Sequence, residues 1–282
     1  VFQIESRAQM NSLPRTKPRT FYELAIQVAL IRPGPLQGNM VHPYIRRKRG
    51  EEQVEYVHPN VEPILGRTLG VPLFQEQGMQ LAVAVSGFSP VEADALRRAM
   101  GSQRHRHKLS ALNDKLIQGM LERGIEREFA ERVVKQIEGF STYGFPESHS
   151  TSFALIVYAS CWLKCLYPAE FLVGMLNAQP LGFYSPASLI HDAKRHGVRV
   201  KSPCLKHSAW HTRMEGRSVR LGLRLVDGLG NAARERLEAA VDQGRFESVE
   251  DVARRGRLPV AALTTLAEAG AFDTLAPGGR RD

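Results

Sequence analysis

The sequence predicts a mainly α-helical protein, in which a multi-helix domain is followed by a small helical module with a few short strands. Three observations support this fold class. Helix-capping signatures precede several apolar runs, the pattern alternates more over residues 198–225 than elsewhere, and a composition of 43% hydrophobic and 24% charged residues is that of a globular protein. With 282 residues, the chain is long enough for two or three domains, each with its own core.

The composition also excludes several classes of protein. The most apolar stretch, residues 153–163, is shorter than the roughly 18 residues that a membrane span needs. Three cysteines cannot form a disulfide framework and suit a reducing compartment, and no signal peptide is visible. We therefore expect a cytoplasmic protein. Because the chain begins at Val1 within what resembles a continuing motif, we also expect a piece of a larger protein.

The first predicted helix begins with a capping box, Thr20 and Glu23, and continues to residue 31. It ends at the loop "RPGPLQG" (32–38), because the prolines and glycines of this loop cannot continue a helix. Further along, "VPLFQEQGMQLAVAVSGF" (71–88) predicts a short strand that leads into a helix.

The segment "SPVEADALRRAM" (89–100) predicts a second capped helix, with Ser89 and Glu92 as its capping box. Arg97 and Arg98 then lie in the last turn, where cations complement the helix dipole. That role and solubility would explain the arginine pair without any ligand. Two further helices are predicted, at 105–123 and 126–140.

The segment "TSFALIVYASCWLKCL" (151–166) is apolar on almost every side, which predicts a helix at the centre of the core. Cys161 and Cys165 have the i, i+4 spacing of a zinc-ligand pair, but no histidine pair has matching spacing. Buried cysteines that fill the core are therefore the favoured interpretation.

A loop at 179–186 marks a module boundary, and a capped helix follows at 185–197. Further on, Gly228-Leu229-Gly230 precedes a helical segment, a spacing that resembles a helix-hairpin-helix motif. Glycines at these positions would let the backbone approach a DNA phosphate, although Gly-x-Gly turns between helices are also common. The segment 258–275 lacks this hairpin and is interpreted as a packing partner.

The net charge of +9 makes polyanions plausible partners, and its distribution is more informative than its size. One basic run, residues 42–50, contains Arg46, Arg47 and Lys48, and a second occupies residues 96–108. Each run could be no more than a solvated face. Two such runs beside Pro- and Gly-rich turns favour a surface that binds phosphates.

The motif "ESHS" places His149 between two serines at the start of an apolar helix. A nucleophile elbow would need glycines on both sides of the serine, and they are absent. A turn with Ser148, His149 and Ser150 at a helix N-terminus suits a phosphate, while a simple N-cap by one of the serines is the alternative. No Asp-x-Asp is present, so if the chain is part of a nucleotidyl transferase, the metal-binding half lies elsewhere.

Several stretches, taken together and in order, resemble the C-family of bacterial DNA polymerases, the alpha subunit of DNA polymerase III and its relatives. The stretches are "VFQIESRAQM", "ALIRPGP", "HPYIRRKRGEE", "LGVPLFQEQGMQLA", "ADALRRAMG", "YGFPESHS", "WLKCLYPAEF" and "LAEAGAFDTL". Together they cover essentially the whole chain. "YGFPESHS", in place of the replicative "YGFNKSHS", resembles the error-prone branch, which performs damage-induced mutagenesis and translesion synthesis.

The resemblance implies three parts: a fingers region on the nucleotide-binding side (1–178), a connecting module with short strands (179–222), and a helix-hairpin-helix DNA-binding module (223–282). It implies no catalytic residue in this chain, because the palm aspartates that hold two Mg²⁺ ions would precede Val1. The complete enzyme would use primer-template DNA and deoxynucleoside triphosphates. It would also bind a sliding clamp and translesion accessory proteins.

The resemblance also assigns roles to particular residues. The triphosphate of the incoming nucleotide would be bound by Arg97, Arg98, His149 and Ser148. Arg32, Gln75 and Glu76 would shape the nascent base-pair pocket, and the DNA backbone would be contacted by Arg46, Arg47, Lys48, Gly228 and Gly230.

One departure from the family pattern and two alternatives remain open at this point. Pro146-Glu147 replaces Asn-Lys, which removes a cation near the triphosphate and predicts weaker nucleotide binding. The chain could instead be a fragment of a replicative alpha subunit. It could also be a non-catalytic DNA-binding protein made of helix-hairpin-helix units.

Overall fold

The computed structural model describes residues 1–31, 43–56, 58–100, 106–139 and 145–276. The chain divides into two compact units, Val1–Ser160 and Cys161–Asp282. The fold class is confirmed: 61% of the structure is helical, and the strands form one small sheet. None of the described helices is long and apolar enough to cross a membrane.

The first unit begins with α1 (Arg7–Thr16), α2 (Phe21–Leu30) and α3 (Pro43–Lys48). The predicted capping box of α2 is confirmed: Thr20 accepts a hydrogen bond from the amide of Glu23, whose side chain accepts one from the amide of Thr20. Polar side chains join α1 to α2. The fully buried Gln27 donates to Gln9 and Ser12 and accepts from Thr16, so its amide group is satisfied although no water reaches it.

The predicted strand at the start of 71–88 is wrong. After α4 (Glu62–Leu65) and a short 3₁₀ turn, residues 71–74 are extended and buried, but they pair with no strand among the described residues. The side chain of Gln77 explains this, because its carbonyl oxygen accepts from the amides of Leu73 (2.8 Å) and Phe74 (3.1 Å). Those donors are therefore satisfied without a sheet, and the helix begins directly afterwards.

The centre of this unit is a helical layer formed by α5 (Gln75–Ser86), α6 (Pro90–Met100), α7 (Arg106–Leu121) and α8 (Arg127–Gly139). The predicted capping box of α6 is confirmed, since the Glu92 amide donates to the Ser89 hydroxyl (3.3 Å) and the Ser89 amide donates to the Glu92 carboxylate (2.8 Å). Buried side chains from all four helices share one core; the largest are Leu81, Leu96, Leu116 and Met120.

The prediction that residues 151–166 form a central core helix is wrong. They belong to α9 (Glu147–Leu166), but only the narrow stripe Ser150, Ala154 and Val157 is buried. The large apolar side chains are exposed, among them Leu155, Ile156, Tyr158, Trp162 and Leu166. Cys161 and Cys165 are also exposed, so their interpretation as buried core filler is wrong as well.

The second unit contains α10 (Pro168–Asn177), α11 (Pro186–Arg195) and a three-stranded sheet within the region predicted to contain strands. The central strand β3 (Ser218–Arg220) pairs in parallel with β1 (Val200–Lys201) and antiparallel with β2 (Arg213–Glu215). Leu172 and Leu176 of α10 share a core with Val219 of β3, which fixes the helix against the sheet.

The last part of the chain folds as α12 (Asn231–Asp242), α13 (Val249–Gly256) and α14 (Val260–Glu268). Leu229, Leu237 and Leu266 lie in one core. Segment 258–275 therefore packs against the Gly-x-Gly element, as the sequence predicted.

Gly119 of α7 tests how closely α7 approaches α5. A Cβ built at Gly119 would lie 2.1 Å from the backbone oxygen of Ser86, whereas one at Gly174 of α10 would meet no atom within 4 Å. We expect Gly119→Ala to lower the free energy of unfolding by about 1–3 kcal/mol through overpacking. Gly174→Ala should raise it by about 1 kcal/mol through helix propensity. Chemical denaturation measures both, and equal effects of the two variants would contradict this close packing.

Glu215 and Arg220 form the best-defined ion pair of the sheet. The guanidinium, in a residue only 9% exposed, donates to both carboxylate oxygens (2.6 and 3.2 Å). Hydrogen bonds from Arg220 and Lys201 lower the pKa of Glu215 to about 2. A depressed carboxyl pKa contributes stability above its ordinary value of 4.5, and this contribution is lost as the pH falls from 4.5 to about 2.

We expect Glu215→Gln to lower the free energy of unfolding at pH 7 by about 1–2 kcal/mol, a figure reduced for partial exposure. The variant should also lose part of the pH dependence between pH 4.5 and 2. Glu238→Gln removes the exposed partner of Arg234 and serves as the control, with an expected effect under about 0.5 kcal/mol. Denaturation at a series of pH values measures the difference, and parallel pH profiles for wild type and Glu215→Gln would contradict the assignment.

Candidate functional site

The start of α5 and the start of α9 are joined by two hydrogen bonds. The amide of Gln75 donates to the carbonyl of Phe145 (3.2 Å), and the amide of Glu147 donates to the carboxylate of Glu76 (2.9 Å). Glu76 therefore caps α9 from a distant part of the chain, and its negative charge lies at the positive end of that helix. This capping role differs from the base-pair role predicted for Glu76.

A tyrosine supports the same junction from α2. The hydroxyl of Tyr22 donates to the side chain of Glu147, and burial together with this hydrogen bond raises the Tyr22 pKa well above its ordinary value. The guanidinium of Arg67 lies over the Tyr22 ring, 3.4 Å from its centre. Since Tyr22, Arg67 and Glu147 are far apart in the sequence, nothing in the sequence indicated this network.

His149 lies on the exposed face of the first turn of α9, between two aromatic rings. Its imidazole is edge-to-face with Phe145 (5.2 Å) and Phe153 (4.7 Å), which are its i−4 and i+4 neighbours. The rings restrict the orientation of the imidazole and leave it accessible to a ligand.

The two serines beside His149 lie inside α9, so neither is its N-cap. Ser148 is exposed, and its backbone carbonyl accepts from the Ser152 hydroxyl (2.9 Å). Ser150 is fully buried and donates to the carbonyl of Ala25, which fixes α9 to α2. Of the two hydroxyls, only that of Ser148 is placed where a ligand could reach it.

Arg97 and Arg98 are both held by one carboxylate on their own helix. Asp94 accepts from the Arg97 Nε (3.0 Å) and lies 2.6 Å from the Arg98 Nη2. The hydrogen bonds from Arg97, with the neighbouring charges, lower the Asp94 pKa below its ordinary value. The i, i+3 and i, i+4 spacing of these residues was a sequence signal for this clamp. The three side chains remain partly exposed and carry a net charge of +1.

The predicted triphosphate-binding residues lie on two helices, Arg97 and Arg98 on α6 and Ser148 and His149 on α9. Helix α5 connects the two, because it shares a core with α6 and its first residues are hydrogen-bonded to the start of α9. Arg97 and Arg98 form ion pairs with Asp94, and the His149 ring packs against Phe145 and Phe153. No contact between either arginine and the imidazole is found among the described residues. Arg32 lies outside the described residues.

The predicted DNA-backbone cations of α3 are paired within the chain. Arg46 and Arg47 each donate to Glu52 (2.7 and 2.8 Å), and Lys48 lies 2.5 Å from Glu23. Hydrogen bonds from Arg46 and Arg47 lower the Glu52 pKa. These ion pairs fix the segment that follows α3. If Arg46, Arg47 and Lys48 contact DNA, each must bind a phosphate while it is also paired with a carboxylate of the chain.

The Gly-x-Gly element has an open backbone. Gly228 adopts a φ of +83°, which favours glycine, and Gly230 is the residue that precedes α12. Both glycines are exposed on either side of the buried Leu229, and a Cβ at Gly230 would meet no atom within 4 Å. A phosphate could therefore approach the first amides of α12 closely.

The described residues contain no group of three or more histidine, cysteine or acidic side chains that could hold a metal ion.

Comparison with known protein families defines the class first. The finger domain of the bacterial DNA polymerase III alpha subunit matches residues 1–124, and a helix-hairpin-helix motif matches residues 197–282. The chain thus combines a polymerase finger domain with a DNA-binding motif, as the sequence predicted.

Individual relatives define the branch. "Error-prone DNA polymerase 2" of Rhizobium meliloti (strain 1021) is 53% identical over 96% of this chain and 26% of its own length. The error-prone DNA polymerase of Alkalilimnicola ehrlichii is 54% identical over all of this chain and 28% of its own length, and that of Corynebacterium glutamicum is 54% identical over all of this chain and 26% of its own. The chain is therefore related over its whole length to the error-prone branch of the bacterial C-family polymerases, and it spans about a quarter of these relatives.

The ion pairs of Asp94 with Arg97 and Arg98 predict that a variant without the carboxylate binds a nucleotide more tightly. Asp94→Asn removes the carboxylate that competes with a bound anion for the two guanidinium groups. We expect the affinity of the chain for a deoxynucleoside triphosphate to rise about fivefold at low salt, as measured by calorimetric titration. Asp114→Asn, at an exposed site on α7, is the control. Unchanged affinity in Asp94→Asn would contradict binding of the triphosphate by these arginines.

Proposed function

We propose that the chain is the finger and helix-hairpin-helix segment of an error-prone DNA-directed DNA polymerase. The longer protein would extend primer-template DNA with deoxynucleoside triphosphates during translesion synthesis and damage-induced mutagenesis. The observation that carries the proposal is the identity of 53–54% over essentially the whole chain with polymerases named error-prone. These relatives also favour the error-prone branch over a replicative alpha subunit or a free-standing DNA-binding protein.

In this proposal, Arg97, Arg98, His149 and Ser148 bind the triphosphate. Phosphoryl transfer develops charge on the phosphate oxygens, and positioned cations stabilise that charge. Guanidinium groups remain charged at any working pH and match two phosphate oxygens at once. An incoming triphosphate would take both arginines from Asp94, so the carboxylate keeps them extended until the nucleotide arrives.

The replacement of Asn-Lys by Pro146-Glu147 supports weaker binding of the nucleotide. The replicative motif has a lysine where this chain has Glu147, and the Glu147 carboxylate accepts from the Tyr22 hydroxyl. The cation is therefore replaced by a carboxylate that serves the junction of α2 and α9. A looser triphosphate site would relax selectivity for the incoming nucleotide.

The remaining assignments complete the proposal. Gln75 and Glu76 lie beside the nascent base pair, together with Arg32. DNA phosphates are contacted by Arg46, Arg47, Lys48, Gly228 and Gly230. The three-part division at 178/179 and 222/223 belongs to the proposal, as do a cytoplasmic location, a sliding clamp and translesion accessory partners. Two Mg²⁺ ions would be held by a part of the longer protein outside this chain.

The proposal is tested in a full-length error-prone polymerase that contains this segment, by single-nucleotide primer extension. We expect Arg97→Ala with Arg98→Ala to lower kcat/KM for the nucleotide about 100- to 1,000-fold, because donors that stabilise the transferring phosphate are lost. The corresponding double lysine variant should recover part of this loss, since it keeps the charge without the planar fork.

The control is Arg127→Ala, which removes an exposed arginine of α8 that pairs with Glu131 on the same helix. It should leave kcat/KM unchanged. A double alanine variant with wild-type kcat/KM would refute the triphosphate assignment. Absence of primer extension by the wild-type protein, with Mg²⁺ present, would refute the polymerase assignment itself.

A further inference from the structure

A cavity of about 820 Å³ lies in the first unit, where the end of α1 and the start of α2 face α3 and residues 66–69. We name it the basic cavity, because seven of its lining side chains are cationic and only one, Glu23, is acidic. Four of these cations lie outside the two basic runs of the sequence. Nothing in the sequence therefore indicated that they line the same cavity.

The cations of the basic cavity fall into two groups. Those of α3 and its end have carboxylate partners: Arg47 pairs with Glu52, Lys48 with Glu23, and Arg49 with Glu51. The other group is Arg15, Lys17, Arg19 and Arg67. None of these four forms an ion pair within the described parts of the chain, and Arg67 has only the Tyr22 ring beneath it. Within the described parts of the chain, these four positive charges are therefore not neutralised by a carboxylate.

The backbone that presents three of these cations is fixed. Helix α1 ends at Thr16, and the cap residue Lys17 adopts a left-handed conformation (φ +43°) and donates its amide hydrogen to the carbonyl of Leu13. The Glu23 carboxylate accepts from the amides of Arg19 (2.6 Å) and Thr20 (3.3 Å). Burial acts to raise the Glu23 pKa, but hydrogen bonds from Lys48 and these amides outweigh it and lower the pKa, so the carboxylate stays charged. The unpaired cations thus project from a short, well-anchored turn.

The aromatic residue that lines the basic cavity, Tyr44, does not offer a face to a base, because it is only 3% exposed. Tyr22 does not line the cavity, and its ring is covered by Arg67, 3.4 Å from the ring centre. Base recognition by single-strand binding proteins needs such faces for stacking, whereas the backbone needs only cations. The cavity is therefore suited to phosphates and is indifferent to base sequence.

The size of the basic cavity selects among polyanions. A sphere of 820 Å³ is about 12 Å across. A DNA duplex has grooves about 12 and 6 Å wide, and the duplex as a whole is wider than either groove. A duplex is therefore wider than the cavity and cannot enter it. A single strand can enter, with successive phosphates against different cations.

We propose that the basic cavity binds the sugar–phosphate backbone of single-stranded DNA through Arg15, Lys17, Arg19 and Arg67. It is separate from the arginine pair on α6 and from the Gly-x-Gly element. The proposal rests on the proposed function for the identity of the strand, which in a polymerase is the template outside the duplex.

The test measures binding of fluorescently labelled oligothymidylate to the 282-residue chain by anisotropy at several salt concentrations. Each phosphate contact with a single strand contributes about 0.7 to the slope of log K against log salt, or about fivefold in affinity at 0.1 M relative to 1 M salt. We expect Arg15→Gln with Arg19→Gln to reduce the slope by about 1.4 and the affinity about 25-fold. Neither arginine has a described partner, so circular dichroism should show an intact fold.

The matched control is Arg7→Gln, which removes an exposed arginine from the opposite end of α1. It should leave the slope unchanged. Equal effects of Arg7→Gln and the double variant, or no effect of the double variant, would overturn the proposal. Equal losses for a blunt duplex would overturn the single-strand assignment, and competition by inorganic triphosphate at the same phosphate concentration would identify a small-anion site instead.

The outcome is distinct from failure of the proposed function. Single-strand binding that depends on Arg15 and Arg19, with primer extension independent of Arg97 and Arg98, would support single-strand binding by the basic cavity and reject the triphosphate assignment. The opposite pattern would reject only single-strand binding by the basic cavity.

Discussion

The candidate site depends on the junction between the start of α5 and the start of α9. Two hydrogen bonds cross this junction, between residues about 70 positions apart, and one of them uses the Glu76 carboxylate as the cap of α9. Two acidic residues therefore meet there, and each has a compensating partner. Glu76 lies at the positive end of a helix, and Glu147 accepts from the Tyr22 hydroxyl. The junction thus holds the start of α9, which carries the exposed His149, against the start of α5.

Internal carboxylates decide which cations of this basic chain are available to a ligand. Asp94 holds both arginines of α6, and Glu52 holds two arginines of α3. Such pairs contribute little to stability at a surface, but they order long side chains and leave a net positive charge. By contrast, Arg15, Lys17 and Arg19, at and after the end of α1, form no ion pair with the residues that the structure describes. A ligand would therefore have to displace carboxylates from the cations of α3 and α6, whereas among the described residues it would meet no such competition at these three.

Helix α9 shows that an apolar sequence need not indicate burial within the same chain. Its exposed side chains include Leu155, Tyr158 and Trp162, with relative exposures of 60%, 57% and 45%. Its buried stripe consists mostly of small residues, which allow close approach to α2. Hydrophobicity in the sequence predicted burial, but burial depends on which elements pack against a helix, and that is not a local property of its sequence.

The sequence by itself determined the helical class, the capping boxes of α2 and α6, the strands within residues 198–225 and the polymerase family. These features depend on local propensity or on motifs whose residues are near one another in the chain. The ion pairs of Asp94 with Arg97 and Arg98 were not predicted, although their i, i+3 and i, i+4 spacing could have indicated them.

Only the tertiary structure decided the features that depend on distant residues. The extended segment 71–74 has the composition of a strand, but the side chain of Gln77 takes the amides that a neighbouring strand would have used. The cap of α9 comes from α5, and the basic cavity gathers cations from α1, α3 and residue 67. The sequence shows which groups carry charge and which can form hydrogen bonds. The partner of each group, however, depends on long-range packing. When the two partners are far apart in the chain, no local sequence pattern indicates that they will meet.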